Sequence, residues 1–214
     1  MTTSVLSVHC ALFCDHDVAV LSEQFNPAFI EHSPYVANGL EGLRTLVNDC
    51  PDMQYECFSS VRSPEWEVLL GCFTGLEEQP LFGFDLYRLD SQGRPVEHWD
   101  SLTAVPLETL PPRQADHSVA SEQSLALVRQ YLSLRQQDSA AALFSEDSAL
   151  SHDNIHYSIA QGDLVFTLSE GHAEGQRYAV AELWRTDGAA LTGRWPAVVA
   201  IPTDEEAVHQ HGLF

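Results

Sequence analysis

The rhythm of apolar positions divides the chain into helical patterns followed by strands. Residues 5–13 read as a helix. A second helical pattern runs from Asp17 to His32 through Val18, Val20, Leu21, Phe25 and Phe29, and a short helix is expected over 40–47. Residues 55–61 and 67–74 are β-rich and apolar. Residues 82–89 and 95–105 read as a hairpin closed by Asp90-Ser91-Gln92-Gly93-Arg94. The order then returns. Leu125, Leu127, Val128, Tyr131 and Leu132 predict a helix over 124–134, and a second pattern continues from Asp138 to His152 through Ala141, Leu143, Phe144 and Leu150. Strands are expected over 154–160, 164–170, 177–186 and 190–201, punctuated by Gln161-Gly162-Asp163 and Thr186-Asp187-Gly188. Helices followed by a run of antiparallel strands read as α+β.

The two halves resemble each other residue by residue. Phe84-Asp85-Leu86-Tyr87-Arg88 and then His98-Trp99-Asp100 are answered by Ala181-Glu182-Leu183-Trp184-Arg185 and then Arg194-Trp195-Pro196. Both copies carry an acid, Leu, an aromatic, Arg, a turn, Trp, and an apolar run closed by Pro. The second copy is about two dozen residues shorter, and what it lacks corresponds to 33–53. A Pro-rich stretch over 106–118 has no apolar period. The expected division is a complete domain over 1–107, a linker over 108–120, a shortened and degenerate domain over 121–202, and a tail over 203–214.

Phe29-Ile30-Glu31-His32-Ser33-Pro34, Asn38-Gly39-Leu40-Glu41-Gly42-Leu43, Phe84-Asp85-Leu86-Tyr87-Arg88 and Glu97-His98-Trp99-Asp100 together are similar to the SnoaL-like branch of the nuclear transport factor 2-like superfamily. The similarity covers nearly all of the first copy and, more faintly, the second. It implies two tandem cone-shaped α+β barrel domains, each a curved antiparallel sheet around a pocket for a small, mostly apolar molecule. Members include polyketide cyclases that close a ring by an aldol reaction, without a metal, through a His/Asp pair. Others are isomerases, hydrolases, dehydratases or binding folds, so the fold does not fix the reaction.

Candidate chemistry gathers on one strand. His98 and Asp100 are two apart, which puts both side chains on one face with Trp99 on the other. In an apolar pocket, burial would raise the Asp pKa while the carboxylate favoured a protonated His. Such a pair can take a proton α to a carbonyl and return one to the developing oxyanion. In the family pattern Asp100 matches the acid–base position, with His98 as its partner and His32 at the pocket wall as an orienting group. Both strand residues could equally be exposed or structural. Tyr35, Trp66, Phe84, Asp85 and Tyr87 are candidate substrate-binding residues. Asp85 needs a buried partner, for which Arg88 and His98 are candidates, and its counterpart Glu182 suggests a structural role. In the second copy Arg194 and Pro196 stand where His98 and Asp100 stand in the first, and neither does acid–base work near neutrality.

Charge narrows the partners. Thirty-one acidic residues face ten basic ones, all Arg, for a net charge of −21. With no Lys, a lysine Schiff base is excluded. The summed field repels phosphate, which speaks against nucleic acid and anionic membranes. No stretch is apolar enough for a membrane span, and the first residues lack the basic start of a secretory signal. Five Cys without a C-x-x-C pair fit a reduced, cytoplasmic protein. No metal-ligand spacing, nucleotide-binding glycine motif or G-x-S-x-G appears, so no cofactor is expected.

Two classes of function stand. One is a cofactor-independent acid–base enzyme, an aldol-type cyclase, isomerase or lyase, acting on a small apolar carbonyl compound in the first-domain pocket. The other is a non-enzymatic ligand-binding or interaction module. In both, the second domain serves as an intramolecular pseudo-dimer partner, and pairing of such units into a homodimer stays open.

Overall fold

The computed structural model describes residues 4–137, 150–203, 205–209 and 211–214. The order is α1 (Val5–Phe13), α2 (Val20–Gln24), β1 (Ile30–Glu31), α3 (Leu40–Asp49), β2 (Gln54–Arg62), β3 (Trp66–Thr74), β4 (Leu81–Leu89) and β5 (Pro95–Thr103). After the linker follow α4 (Ser121–Gln137), β6 (Asn154–Gln161), β7 (Leu164–Ala173), β8 (Gln176–Thr186) and β9 (Leu191–Ala200). This is a mixed α+β fold with two curved, open sheets, ordered β1-β5-β4-β3-β2 and β6-β7-β8-β9. No described helix is long and apolar enough to cross a membrane.

The strands follow the sequence pattern closely. The second helical pattern does not: only α2 forms, and Phe25, two residues before Pro27, has already left the helix for an extended backbone. Asn26 instead donates its backbone N–H to Pro95 O and its side-chain amide to Asp90. The chain then runs into β1, a two-residue strand parallel to β5 that pairs Ile30 with Glu97 and Glu31 with His98. The expected helical pattern over 138–149 lies outside the described residues.

Strand alternation sorts the first sheet into two faces. Tyr55, Leu69, Phe73, Tyr87 and Leu89 bury against α1, α2 and α3. Val68, Leu70, Phe84, Leu86 and Trp99 bury on the other side, against Phe166, Leu168, Ala181, Leu183 and Trp195 of the second sheet. The far face of that sheet carries Val165 and Trp184 and is covered by Val128, Tyr131 and Leu132 of α4. The layers therefore run helices, sheet, sheet, helix, and the sheets share one continuous apolar core. Burial on this scale supplies the main favourable term for holding the sheets together.

Candidate functional site

The chemistry-bearing residues converge on the helix-facing side of β4 and β5. Helix α1 starts where Ser4 Oγ accepts the Ser7 N–H. It buries Val5, Val8, His9 and Leu12, the i, i+3, i+4, i+7 stripe, so His9 points into the sheet. In β4 and β5, Asp85 lies opposite Asp100 and Tyr87 opposite His98, and all four side chains share that face. Glu31 reaches the same place from β1.

His98 sits between two carboxylates. Its Nδ1 is 3.0 Å from both Glu31 oxygens and its Nε2 is 3.2 Å from Asp85 Oδ1. A ring that donates from both nitrogens is an imidazolium. Burial pulls its pKa down, but Glu31 and Asp85 override that and hold it well above the ordinary histidine value. Glu31 is fixed in turn by accepting the Ser33 N–H at 2.8 Å. Tyr87 stacks on the His98 ring with centroids 4.5 Å apart.

His9 has the opposite fate. Full burial lowers its pKa to about 4; Asp85 works against this, and the His98 cation adds to it. Its Nδ1 lies 2.8 Å from the Tyr87 hydroxyl. Burial keeps Tyr87 protonated, so the phenol donates to Nδ1, and the proton of His9 sits on Nε2 facing Asp85 Oδ2 at 4.0 Å. Tyr55 packs on the His9 ring with centroids 4.2 Å apart. Gly71 makes room for it: a Cβ there would come within 2.4 Å of the Tyr55 phenol carbon and oxygen.

Asp100 faces a cavity of about 390 Å³ bounded by Ser33, Val36, Leu46, Cys50, Leu76, Leu81 and Leu102 on one side and Ala179, Val199, Pro202 and Leu213 on the other. That volume falls in the range of small-molecule sites. Burial raises the Asp100 pKa to about 7. His98 and a Ser33 hydrogen bond pull it back, while Glu31 and Asp85 push it further up. An acid half-ionised near neutrality can both give and take a proton.

The sequence-expected residues fall into three places. Asp100 and Tyr35 line the cavity, Tyr35 as an exposed ring at its edge. His98, Asp85 and Tyr87 form the buried polar cluster beside it. His98 is not hydrogen-bonded to Asp100 as the paired reading expects; its nitrogens are taken by Glu31 and Asp85. Three residues face the other way, and these are corrections. Trp66 and Phe84 lie in the core between the sheets, Phe84 against Phe166 at 5.2 Å. Adjacent strand residues cannot share a face, so Phe84 cannot accompany Asp85 and Tyr87. His32 follows Glu31 in β1 and so projects outward, stacked on Trp99 at 4.3 Å, with Nδ1 donating to Gly212 O.

His32 borders a second cavity, of about 500 Å³, together with Arg177, His209 and Phe214. Pro34, Pro202 and Leu213 line both cavities. The tail carrying Leu213 is held by Val208 N–H to Pro34 O, His209 Nε2 to Ser33 O and the stacking of Phe214 on His156.

Sequence reasoning missed Glu31 and His9. Glu31 adjoins His32, the more conspicuous candidate, and the parity of a two-residue strand is not readable from sequence. His9 did carry a signal: it is the polar member of an apolar helical stripe.

The second sheet repeats the geometry with different chemistry. Glu182 lies opposite Pro196 and Trp184 opposite Arg194, the register of Asp85 with Asp100 and Tyr87 with His98. Arg194 Nε donates to Glu182 Oε1 at 2.7 Å, and its guanidinium lies 5.3 Å from the Trp184 ring centroid. A buried acid and a cation one pair apart recur, with a cation that cannot give up its proton.

No family model matches the chain, and no curated protein matches it. Among solved structures, the chain is similar to TsrD from Streptomyces laurentii, with 18% identity and a TM-score of 0.39 over 45% of this chain and 84% of that one.

Proposed function

We propose that the chain is a SnoaL-like, nuclear transport factor 2-like protein of two tandem copies, and that the first copy binds a small, mostly apolar carbonyl compound in the Asp100 cavity. One observation carries the reading: an acid with its pKa near neutrality opens onto an apolar cavity of ligand size. In this reading Asp100 removes a proton α to the carbonyl and returns one to the developing oxyanion or the neighbouring carbon, as in a cyclase, isomerase or lyase. His98 is a positioning residue. Locked as a cation by Glu31 and Asp85, it has no free nitrogen to accept a proton, and it moderates the Asp100 pKa from behind.

The second copy is the packing partner. Its buried Glu182–Arg194 pair keeps the acid but not the titratable base, and its inner face supplies half of the core between the sheets.

The test is deuterium exchange at the α-carbon of 2-tetralone in D2O, followed by NMR. Wild-type protein is expected to accelerate exchange, and Asp100→Asn to abolish the acceleration without loss of fold. Unchanged exchange in Asp100→Asn would overturn the acid–base role. Binding of the ketone without any exchange would favour a ligand-binding module, the reading supported by an Arg–Glu pair in place of a base in the second copy.

A further inference from the structure

The walls of the Asp100 cavity also bear on the charge of what it accepts. Two carboxyl groups, Asp100 and Glu77, open onto it, and the rest is hydrocarbon, hydroxyl and thiol; among the described residues lining it there is no Arg or His. Behind Asp100, two further acids, Glu31 and Asp85, outnumber the one cation, His98. The whole chain adds to this, with 31 acidic residues against ten Arg. Such a field concentrates cations and repels anions. A carboxylate or phosphate in this cavity would meet like charge and no cationic donor to replace its lost water. An ammonium would meet two acceptors and an apolar wall for its hydrocarbon.

We propose that the cavity selects an apolar compound bearing a basic amine, its ammonium seated against Asp100 and Glu77, and rejects carboxylates and phosphates. This rests on the reading of the cavity as a ligand site and not on the proton-abstracting role of Asp100, which an ammonium seated there would weaken. The groups facing Asp100 are Glu31 from β1, Ser33 just beyond it, Asp85 and Tyr87 from β4, and His98 beside it on β5, with Glu77 on the same cavity wall. An ammonium stabilises the ionised carboxyl, so the amine displaces the Asp100 proton when it binds below about pH 7. Amine affinity therefore rises with pH and levels off above that value. A neutral ligand that accepts a hydrogen bond from protonated Asp100 shows the reverse.

The test compares tryptamine, tryptophol and indole-3-acetate, which share a ring and differ in the terminal group. Calorimetry on the full chain reads their affinities between about pH 6 and pH 8, the range in which Asp100 titrates. Tryptamine is expected to bind at least about tenfold tighter than tryptophol, with indole-3-acetate weakest. Asp100→Asn should remove the pH dependence. Glu77→Gln, on an exposed loop where it leaves the fold undisturbed, should reduce the amine's advantage several-fold. Indole-3-acetate binding as tightly as tryptamine, or amine affinity that falls with pH, overturns the proposal while leaving the cavity a ligand site. Failure of all three to bind overturns the cavity reading itself, and this proposal with it.

Discussion

Replacing Glu31 with Gln keeps the shape of the side chain and removes one of the two charges that hold His98. Glu31 is fully buried and meets His98 Nδ1 through both oxygens. Removing one partner of a buried, hydrogen-bonded ion pair costs about 3–5 kcal/mol. The amide oxygen of Gln retains one acceptor, and Asp85 still faces Nε2, so the expected loss is at the low end, about 3 kcal/mol at neutral pH. The pH dependence is more diagnostic. His98 has a folded pKa above its unfolded one, so its stabilisation is complete below about pH 6.5 and declines as pH rises towards the folded pKa. His9, lowered to about 4, acts with the opposite sign and has finished titrating by pH 7, whereas Asp100, raised to about 7, still titrates between about pH 6 and pH 8 and adds a smaller fall in stability with rising pH. Between about pH 7 and pH 8 the wild-type protein should therefore lose stability as pH rises, and the variant should lose clearly less. Urea unfolding across that range measures both quantities. Parallel pH profiles, or a destabilisation below about 0.5 kcal/mol, would refute the account of His98 as a clamped imidazolium.

Asp100→Asn should stabilise the fold above pH 7, by about 2 kcal/mol, because the ionised acid is disfavoured by burial there; the gain should vanish well below that pH, and chemical denaturation at two pH values checks it. Gly71→Ala should destabilise by about 2 kcal/mol, since its Cβ would strike the Tyr55 phenol and come within 2.5 Å of Glu56 O; thermal unfolding reads the loss, and a neutral result would mean that the ring has room to move. Phe84→Ala should cost about 3–5 kcal/mol and loosen both sheets together, because Phe84 and Phe166 belong to one core; separate melting of the two halves, monitored by hydrogen exchange, would contradict that.

Most of the fold was legible because its signals are local. Apolar and β-rich runs between turn residues marked β2 to β5 and β6 to β9 to within three residues, and the repeat supplied a cross-check on each hairpin. The site was legible only in part. Strand parity joined His98 to Asp100 and separated both from Trp99. The same rule, applied to 84 and 85, would have removed Phe84 from the pocket. What stayed hidden depends on contacts far apart in the chain. Glu31 meets His98 only because a two-residue strand docks beside β5, and its outward neighbour His32 carried the more conspicuous imidazole. The α2 pattern misled because apolar spacing does not register where the backbone turns extended, which happens at Phe25. His9 stands out as a polar residue in an apolar stripe, but its partner could not be read locally, because Tyr87 lies 78 residues away.

Pro34, Pro202 and Leu213 stand between two chambers of opposite character, one lined by Asp100 and Glu77, the other by His32, His209 and Arg177. If the first cavity takes a ligand as proposed, a partition of this kind gauges its length. A short molecule meets carboxyl groups alone. A longer one has to push Leu213 aside, and its far end then comes among imidazoles and a guanidinium. The residue that sets the boundary belongs to a segment tied down by a few hydrogen bonds and one stacked ring, and Leu213 and Phe214 also pack on the edge of the core between the sheets, so any change that moves the partition is felt there as well.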